Sequence, residues 1–256
     1  MENRRSRRKA ERATRKSNGT FDVRKEENQE HHPVTKTFKH FILKAKNDEQ
    51  RKYINSIKNM SLTVGLGAVG SGKSFIAAVI AAQMLQEGLI ERIYVVRPNV
   101  ELGRPIGFLK GTMYEKTLPW IQPVIDGFES VMENSYIKYL MEKEVIQAVP
   151  IAYLRGRTFK NSFIIFDEAQ NSEYEEMKCF TQRIGEYSKV VVTGDINQKD
   201  IKSKTSGLES LIKINNLYER KPMAVVELTE CVRSDVAAFY LDAYEELESM
   251  QSKESI

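Results

Sequence analysis

From Phe38 onward, short runs of apolar and β-branched residues recur at 62–65, 93–96, 148–153, 163–166, 190–193 and 225–228. Each is too short for a helix, and turn residues bound them, so they read as buried strands. Stretches at 75–85, 173–184 and 208–214 carry helical spacing instead. Ahead of the first strand, 48–60 predicts a helix with Tyr53, Ile54 and Ile57 on one face and Asp48 as its cap. Strands alternating with helices predict an α/β fold, a mostly parallel sheet with helices on both faces. In such sheets ligands bind at loops leaving the C-terminal strand ends.

The first 34 residues break the pattern, with almost no apolar residues and neither helical nor strand period. Such a segment buries too little surface to offset the entropy of ordering, so a disordered leader is expected. The organisation expected is a basic leader over 1–37, a globular domain over 38–248 and a polar tail over 249–256. Of the net charge of +4, eight basic residues lie between Met1 and Lys16 against only Glu2 and Glu11. The globular part is therefore not basic overall, and contacts with nucleic acid must come from the leader or from local patches. No run approaches the ~18 apolar residues of a membrane span, and the charged start does not lead into a secretory signal. A cytoplasmic protein without membrane association is expected. Cys179 and Cys231 have no metal-ligand spacing and read as reduced, buried thiols. His31, His32 and His40 read as solvated side chains.

The chemistry concentrates where strands end. Gly67-Ala68-Val69-Gly70-Ser71-Gly72-Lys73-Ser74 follows one strand and precedes a helix, matching the phosphate-binding pattern G-x-x-x-x-G-K-[ST]. Its glycines let backbone N–H groups face phosphates at a helix N-terminus. Lys73 would neutralise the β- and γ-phosphates, and Ser74 would hold Mg²⁺. The apolar run 163–166 ends in Asp167 and Glu168. Asp167 suits the carboxylate that orients Mg²⁺, and Glu168 suits the general base on an attacking water. Another strand ends in Thr193-Gly194-Asp195-Ile196-Asn197-Gln198, from which Gln198 could report the γ-phosphate. Before the first strand, Asn47-Asp48-Glu49-Gln50 carries an amide able to pair with adenine N6 and N7. Arg97, Arg104, Arg155, Arg157, Arg183 and Arg233 are expected in the same set of loops. Those directly after strands can pair with phosphates of nucleotide or nucleic acid.

Together these segments resemble the phosphate-starvation-inducible PhoH family, relatives of the first RecA-like domain of superfamily 1 helicases. The matching text is GAVGSGKS, RPNVELG, GFLKG, YLRGRTFKNSFIIFDEAQN, RIGEYSKVVVTGDINQ and ECVRSDV, spread from about Lys46 to Glu246. The resemblance implies a RecA-like P-loop NTPase that uses ATP and Mg²⁺ and is linked to RNA or single-stranded DNA. It implies Gln50 as adenine reader, Gln198 as γ-phosphate coupler and Arg233-Ser234 as the arginine motif that reaches the γ-phosphate. Arg97, Arg155 and Arg157 are the candidate polynucleotide contacts. The chain departs from the family at Gly107-Phe108-Leu109-Lys110-Gly111-Thr112, where the usual text is GFLPGD. The leader is too short and polar for the nuclease domain of some members, so no ribonuclease activity is expected.

Superfamily 1 helicases close two RecA-like domains on ATP, whereas this chain has room for one. A homo-oligomer, such as a ring, would complete the site with an arginine from a neighbour, worth roughly 10³–10⁵ in turnover in other P-loop enzymes. The expected function is a Mg²⁺-dependent ATPase stimulated by RNA or single-stranded DNA. The alternatives are a P-loop kinase of a small metabolite and a non-hydrolysing, ATP-switched nucleic-acid-binding module. Glu168 beside Asp167 favours water as acceptor over the kinase.

Overall fold

In a computed structural model the described residues are 37–98, 113–201, 205–219, 223–232 and 234–254. The basic leader, Arg104, the Gly107–Thr112 departure and Arg233 lie outside them. Helix α1 (Asp48–Asn59) precedes strand β1 (Leu62–Leu66), followed by α2 (Lys73–Gln86) and β2 (Arg92–Arg97). Helices α3 (Met113–Glu129) and α4 (Asn134–Glu142) lead to β3 (Ile146–Pro150). Then come β4 (Ser162–Phe166), α5 (Tyr174–Thr181), β5 (Lys189–Gly194), α6 (Gly207–Leu217), β6 (Met223–Glu227) and α7 (Asp235–Glu254).

Six strands form one sheet in the order β3-β2-β4-β5-β1-β6, with every neighbouring pair parallel. β5 separates the strand that feeds the phosphate loop from the strand that ends in the acids, and the parallel α/β sheet is the one expected. Side chains alternate between two cores. Phe163, Ile165 and Val191 face α1, α2, α3 and α4, while Ile164, Phe166, Val190 and Val192 face α5 and α6. Both faces are therefore covered, which is why these strands read as continuous apolar runs. Each fully buried Phe or Ile contributes about 1.5–3 kcal/mol through apolar burial.

The structure corrects several expectations. The cap of α1 is Asn47, whose Oδ1 accepts from Gln50 N at 2.8 Å; Asp48 sits in the first turn, paired with Arg51 at 2.6 Å. The strand expected at 148–153 stops at Pro150, and Ile151–Tyr153 forms a 3-10 turn. Pro150 has no N–H to donate, which is tolerated because β3 is an edge strand. Helices α3 and α4 escape the periodicity reading. Pro119 and Pro123 lie within α3, and non-helical angles at Ile121 (φ −114°, ψ 15°) divide it into two short pieces. α7 continues to Glu254. Cys179 and Cys231 are half-buried rather than buried. Among the described residues, no helix is long and apolar enough to cross a membrane.

Helix α2 is buried from Ile76 through Ala82, and its alanines let α3 approach closely. At the crossing, a Cβ on Gly127 would lie 2.5 Å from Ala78 Cβ and 2.9 Å from Phe75 O. Gly127→Ala should therefore destabilise the fold by about 1–3 kcal/mol, the usual range for overpacking. Urea denaturation checks this; an unchanged midpoint would mean that the two helices are loosely packed.

Candidate functional site

Sheet register assembles the polar residues. Val192, Phe166 and Val96 lie abreast on β5, β4 and β2, so one residue further on Thr193, Asp167 and Arg97 share a row. Asp167 is the centre of this row. Its Oδ1 accepts from Ser74 Oγ and from Thr193 Oγ1, both at 2.6 Å. Its Oδ2 faces Arg97 Nε at 3.7 Å, and the Asp167 side chain is only 3% exposed. The Ser74 hydroxyl and the Asp167 carboxylate are hard oxygen donors placed together, a set that fits Mg²⁺.

The loop between β1 and α2 is shaped by close backbone packing. A Cβ on Gly67 (φ +130°) would sit 1.9 Å from the Leu228 carbonyl oxygen, so only glycine fits there. Gly72 caps α2 in the left-handed region, at φ 90°. The Lys73 ammonium folds back over the loop, donating to Gly67 O at 2.6 Å, Ala68 O at 2.7 Å and Ser71 Oγ at 3.1 Å. Burial pulls Lys73 below the ordinary lysine range, against the opposing pull of Asp195, Asp167 and Glu168. Beneath the loop, the Tyr53 ring occupies the space that a side chain on Gly65 would need, and its hydroxyl donates to Lys73 O at 3.4 Å. Burial, with the Asp167 charge added, holds the Tyr53 phenol well above its usual value.

Glu168 has φ 56° and ψ 38°, a left-handed conformation that costs a non-glycine residue about 1–2 kcal/mol. Its Oε1 lies 3.5 Å from Arg97 Nη2, and its Oε2 accepts from Gln170 Nε2 at 2.7 Å. Gln170 is buried and also reaches the β5 loop: its Nε2 donates to Gln198 O at 3.4 Å, and its Oε1 accepts from Asp195 N at 3.1 Å. A Cβ on Gly194 would strike Gln170 Oε1 at 2.6 Å. In the sequence Gln170 is marked by its place two residues after the acids, within the DEAQN text.

A cavity of about 630 Å³ connects these groups. Lys73, Ser74, Asp167, Glu168, Asp195 and Gln198 line one part of it; Phe41, Leu43, Gln50, Phe75 and Pro123 line another. A volume in this range, polar on one side and apolar on the other, suits a molecule with a flat base and an anionic end. Gln50 lines the cavity, but its amide also braces the loop. Its Nε2 donates to Ser71 O at 2.9 Å and its Oε1 accepts from Lys46 N at 2.9 Å. One N–H and a further lone pair remain for a base.

The segment after β6 holds the loop from the other side. Val232 N donates to Gly70 O at 3.0 Å, and Lys46 Nζ donates to Val232 O at 2.9 Å. Glu49 accepts from Thr229 N at 2.7 Å and from Thr229 Oγ1 at 2.8 Å; these bonds, the hydroxyl's first, hold its carboxyl below the ordinary range.

The arginines do not form one cluster. Arg97 points into the acids. Arg155 and Arg157 are exposed on the connection from β3 to β4, where Arg157 Nη1 donates to Gln147 Oε1 at 3.2 Å along the sheet edge. Arg183 lies at the opposite end of the sheet, its carbonyl accepting from Phe159 N at 2.8 Å ahead of β4. Arg233, expected to reach the γ-phosphate, is outside the described residues.

The profile of the family described as PhoH-like protein matches residues 42–245. The chain is 36% identical over 213 residues to the PhoH-like protein of Bacillus subtilis (strain 168), covering 83% of this chain and 67% of that one. It is 38% identical over 205 residues to the PhoH-like protein of Mycobacterium tuberculosis (strain ATCC 25618 / H37Rv), covering 79% and 58%. With Protein PhoH of Escherichia coli (strain K12) identity is 36% over 205 residues, covering 78% and 57%. The chain thus matches between 57% and 67% of these relatives' lengths. Among solved structures, Pif1 helicase from Candida albicans aligns with a TM-score of 0.41 at 14% identity, covering 79% of this chain and 43% of that one. The N-terminal domain of the DNA packaging ATPase from bacteriophage phi29 aligns with a TM-score of 0.41 at 14% identity, covering 73% and 97%.

Gly67→Ala should weaken Mg²⁺·ATP binding by at least about tenfold, roughly 1.4 kcal/mol, as read by titration with a fluorescent ATP analogue. Gly88→Ala is the control, since Gly88 also has positive φ (+71°) but nothing within 4 Å of its Cβ position. Equal affinities in the two variants would mean that the contact with Leu228 does not shape the loop.

Proposed function

This chain belongs to the PhoH-like protein family, and on that premise we propose that it is a Mg²⁺-dependent ATPase stimulated by single-stranded nucleic acid. The observation that carries the proposal is the convergence of Lys73, Ser74, Asp167 and Glu168 on one cavity with an apolar side wall. The phosphates would lie along the Gly67–Lys73 backbone, where Lys73 would exchange its carbonyl partners for phosphate oxygens. Ser74 and Asp167 would hold Mg²⁺, which when bound supplies charge neutralisation at the β- and γ-phosphates. Glu168 would take the proton of the attacking water. Gln198 stands beside it, on the loop that Gln170 ties to Glu168. Gln50 and the apolar wall would receive the adenine.

Support for a polynucleotide partner comes from the β3–β4 connection. Tyr153 is 69% exposed there, and Arg155 and Arg157 follow it at the surface. An aromatic face with adjacent guanidinium groups suits stacked bases and phosphates, and both contacts tolerate any sequence. RNA and single-stranded DNA share this chemistry.

Support for an oligomer comes from α7, which exposes Val236, Phe239, Tyr240 and Tyr244. A neighbouring copy covering that face would bring Arg233, just ahead of the helix, to a subunit boundary. Arg233 would then serve the γ-phosphate of the adjacent chain.

Turnover measured with and without RNA and single-stranded DNA tests the function. The wild-type chain should hydrolyse ATP and be stimulated. Glu168→Gln should bind ATP but turn over about 10²–10⁴-fold more slowly, Lys73→Ala should lose tight binding, and Arg155→Ala with Arg157→Ala should lose stimulation. Wild-type turnover by Glu168→Gln would remove the general base.

The oligomer is tested by mixing. Lys73→Ala and Arg233→Ala chains, each inactive alone, should recover activity when subunits exchange. Verified exchange without recovery would return Arg233 to its own chain.

A further inference from the structure

The four carboxylate oxygens of the two acids are all engaged by the protein itself. Asp167 Oδ1 takes the Ser74 and Thr193 hydroxyls, and Glu168 Oε2 takes the Gln170 amide. The remaining two, Asp167 Oδ2 and Glu168 Oε1, face the Arg97 guanidinium at 3.7 Å and 3.5 Å. Ser74, Thr193 and Gln170 are neutral, so Arg97 is the charged member of this set. The Arg97 and Asp167 side chains are 19% and 3% exposed, so that pair is less screened than a solvated surface pair, whereas the contact with Glu168, 43% exposed, is partly screened.

We infer that Arg97 is a resident counter-ion that restrains Glu168 and covers Asp167 in the resting site, and that polynucleotide bound at Tyr153, Arg155 and Arg157 releases it. This rests on the ATPase reading given above and adds its regulation. Hydrolysis needs carboxylate oxygens open to a cation and to water, and Arg97 covers two of the four. Glu168 is held by Arg97 on one oxygen and Gln170 on the other, with its backbone in the left-handed region. Strained backbone held in place by its surroundings recurs at active sites and switch regions. Loss of Arg97 would leave the Glu168 carboxylate held, among the described residues, by Gln170, which also reaches the loop that carries Gln198.

The route from the polynucleotide surface is short. Arg97 ends β2 and is in register with Pro150, the last residue of β3. Adjacent strands lie about 4.8 Å apart. The turn Ile151–Tyr153 follows directly and leads into Arg155 and Arg157. A strand of nucleic acid gripping that connection therefore acts one strand away from the residue that holds the acids. Arg97 also has a phosphate-seeking guanidinium, so a bound γ-phosphate offers it an alternative anion once it leaves Glu168.

The test compares wild type with Arg97→Gln, and with Arg97→Lys, which keeps the charge. Mn²⁺ binding to the nucleotide-free protein, read by electron paramagnetic resonance, should be at least about tenfold tighter in Arg97→Gln, with Arg97→Lys between the two. ATP turnover without polynucleotide should rise several-fold in Arg97→Gln, and the stimulation ratio should fall toward one. Equal Mn²⁺ affinity in wild type and Arg97→Gln, or a basal rate that falls in Arg97→Gln, overturns the inference. Absence of turnover in every protein, with Mn²⁺ binding still tightened in Arg97→Gln, would remove the ATPase reading and leave the counter-ion role standing.

Discussion

The Asp167 carboxylate joins three elements at the C-terminal end of the sheet. Ser74 from α2 and Thr193 from β5 both donate to its Oδ1 at 2.6 Å, while Arg97 from β2 approaches its Oδ2. These partners follow from parallel register, because strands that start in phase end in phase. An ionised carboxylate so little exposed would be costly without such partners. Any slip of β4 against β2 or β5 would separate the acid from the phosphate loop, so the apolar faces of the sheet, by pinning register, also position the site.

The phosphate loop depends on the same economy of contacts. The Gly67 and Ala68 carbonyls take the Lys73 ammonium, the Gly70 carbonyl takes Val232 N–H, and the Ser71 carbonyl takes the Gln50 amide. Gly67 N and Ser71 N donate to Gly194 O at 3.2 Å and Ala68 O at 3.4 Å, so the other N–H groups of the loop are the ones that would face an anion. The segments at 46–50 and 229–232 act as one brace, joined through Glu49 and Thr229. The brace therefore ties the segment after β6 to the phosphate loop.

The strands and the phosphate loop were legible because each depends on local pattern: apolar runs of strand length, glycines at fixed offsets, acids at a strand end. Helix α3 was not, since two prolines broke its period, although Ile121, Val124, Ile125 and Phe128 are buried in the core. Asn47 is hidden as a cap because Asp48, equally able to cap, stands beside it. Roles that depend on register between distant strands were also hidden. Nothing local shows that Arg97 pairs with Glu168, or that Gln170 bridges Glu168 to the β5 loop. Tyr53 read as one apolar position on a helix, and its place beneath the loop appears only when β1 supplies Gly65 opposite it.

In the proposed function one nucleotide would engage the phosphate loop, the acid row and the brace together. Amide hydrogen exchange with and without Mg²⁺ and a non-hydrolysable ATP analogue tests it most directly. Added protection is expected at 67–74, 193–198 and 229–232 in the same titration, with a single midpoint. Protection confined to other surfaces, or separate midpoints for these segments, would contradict it.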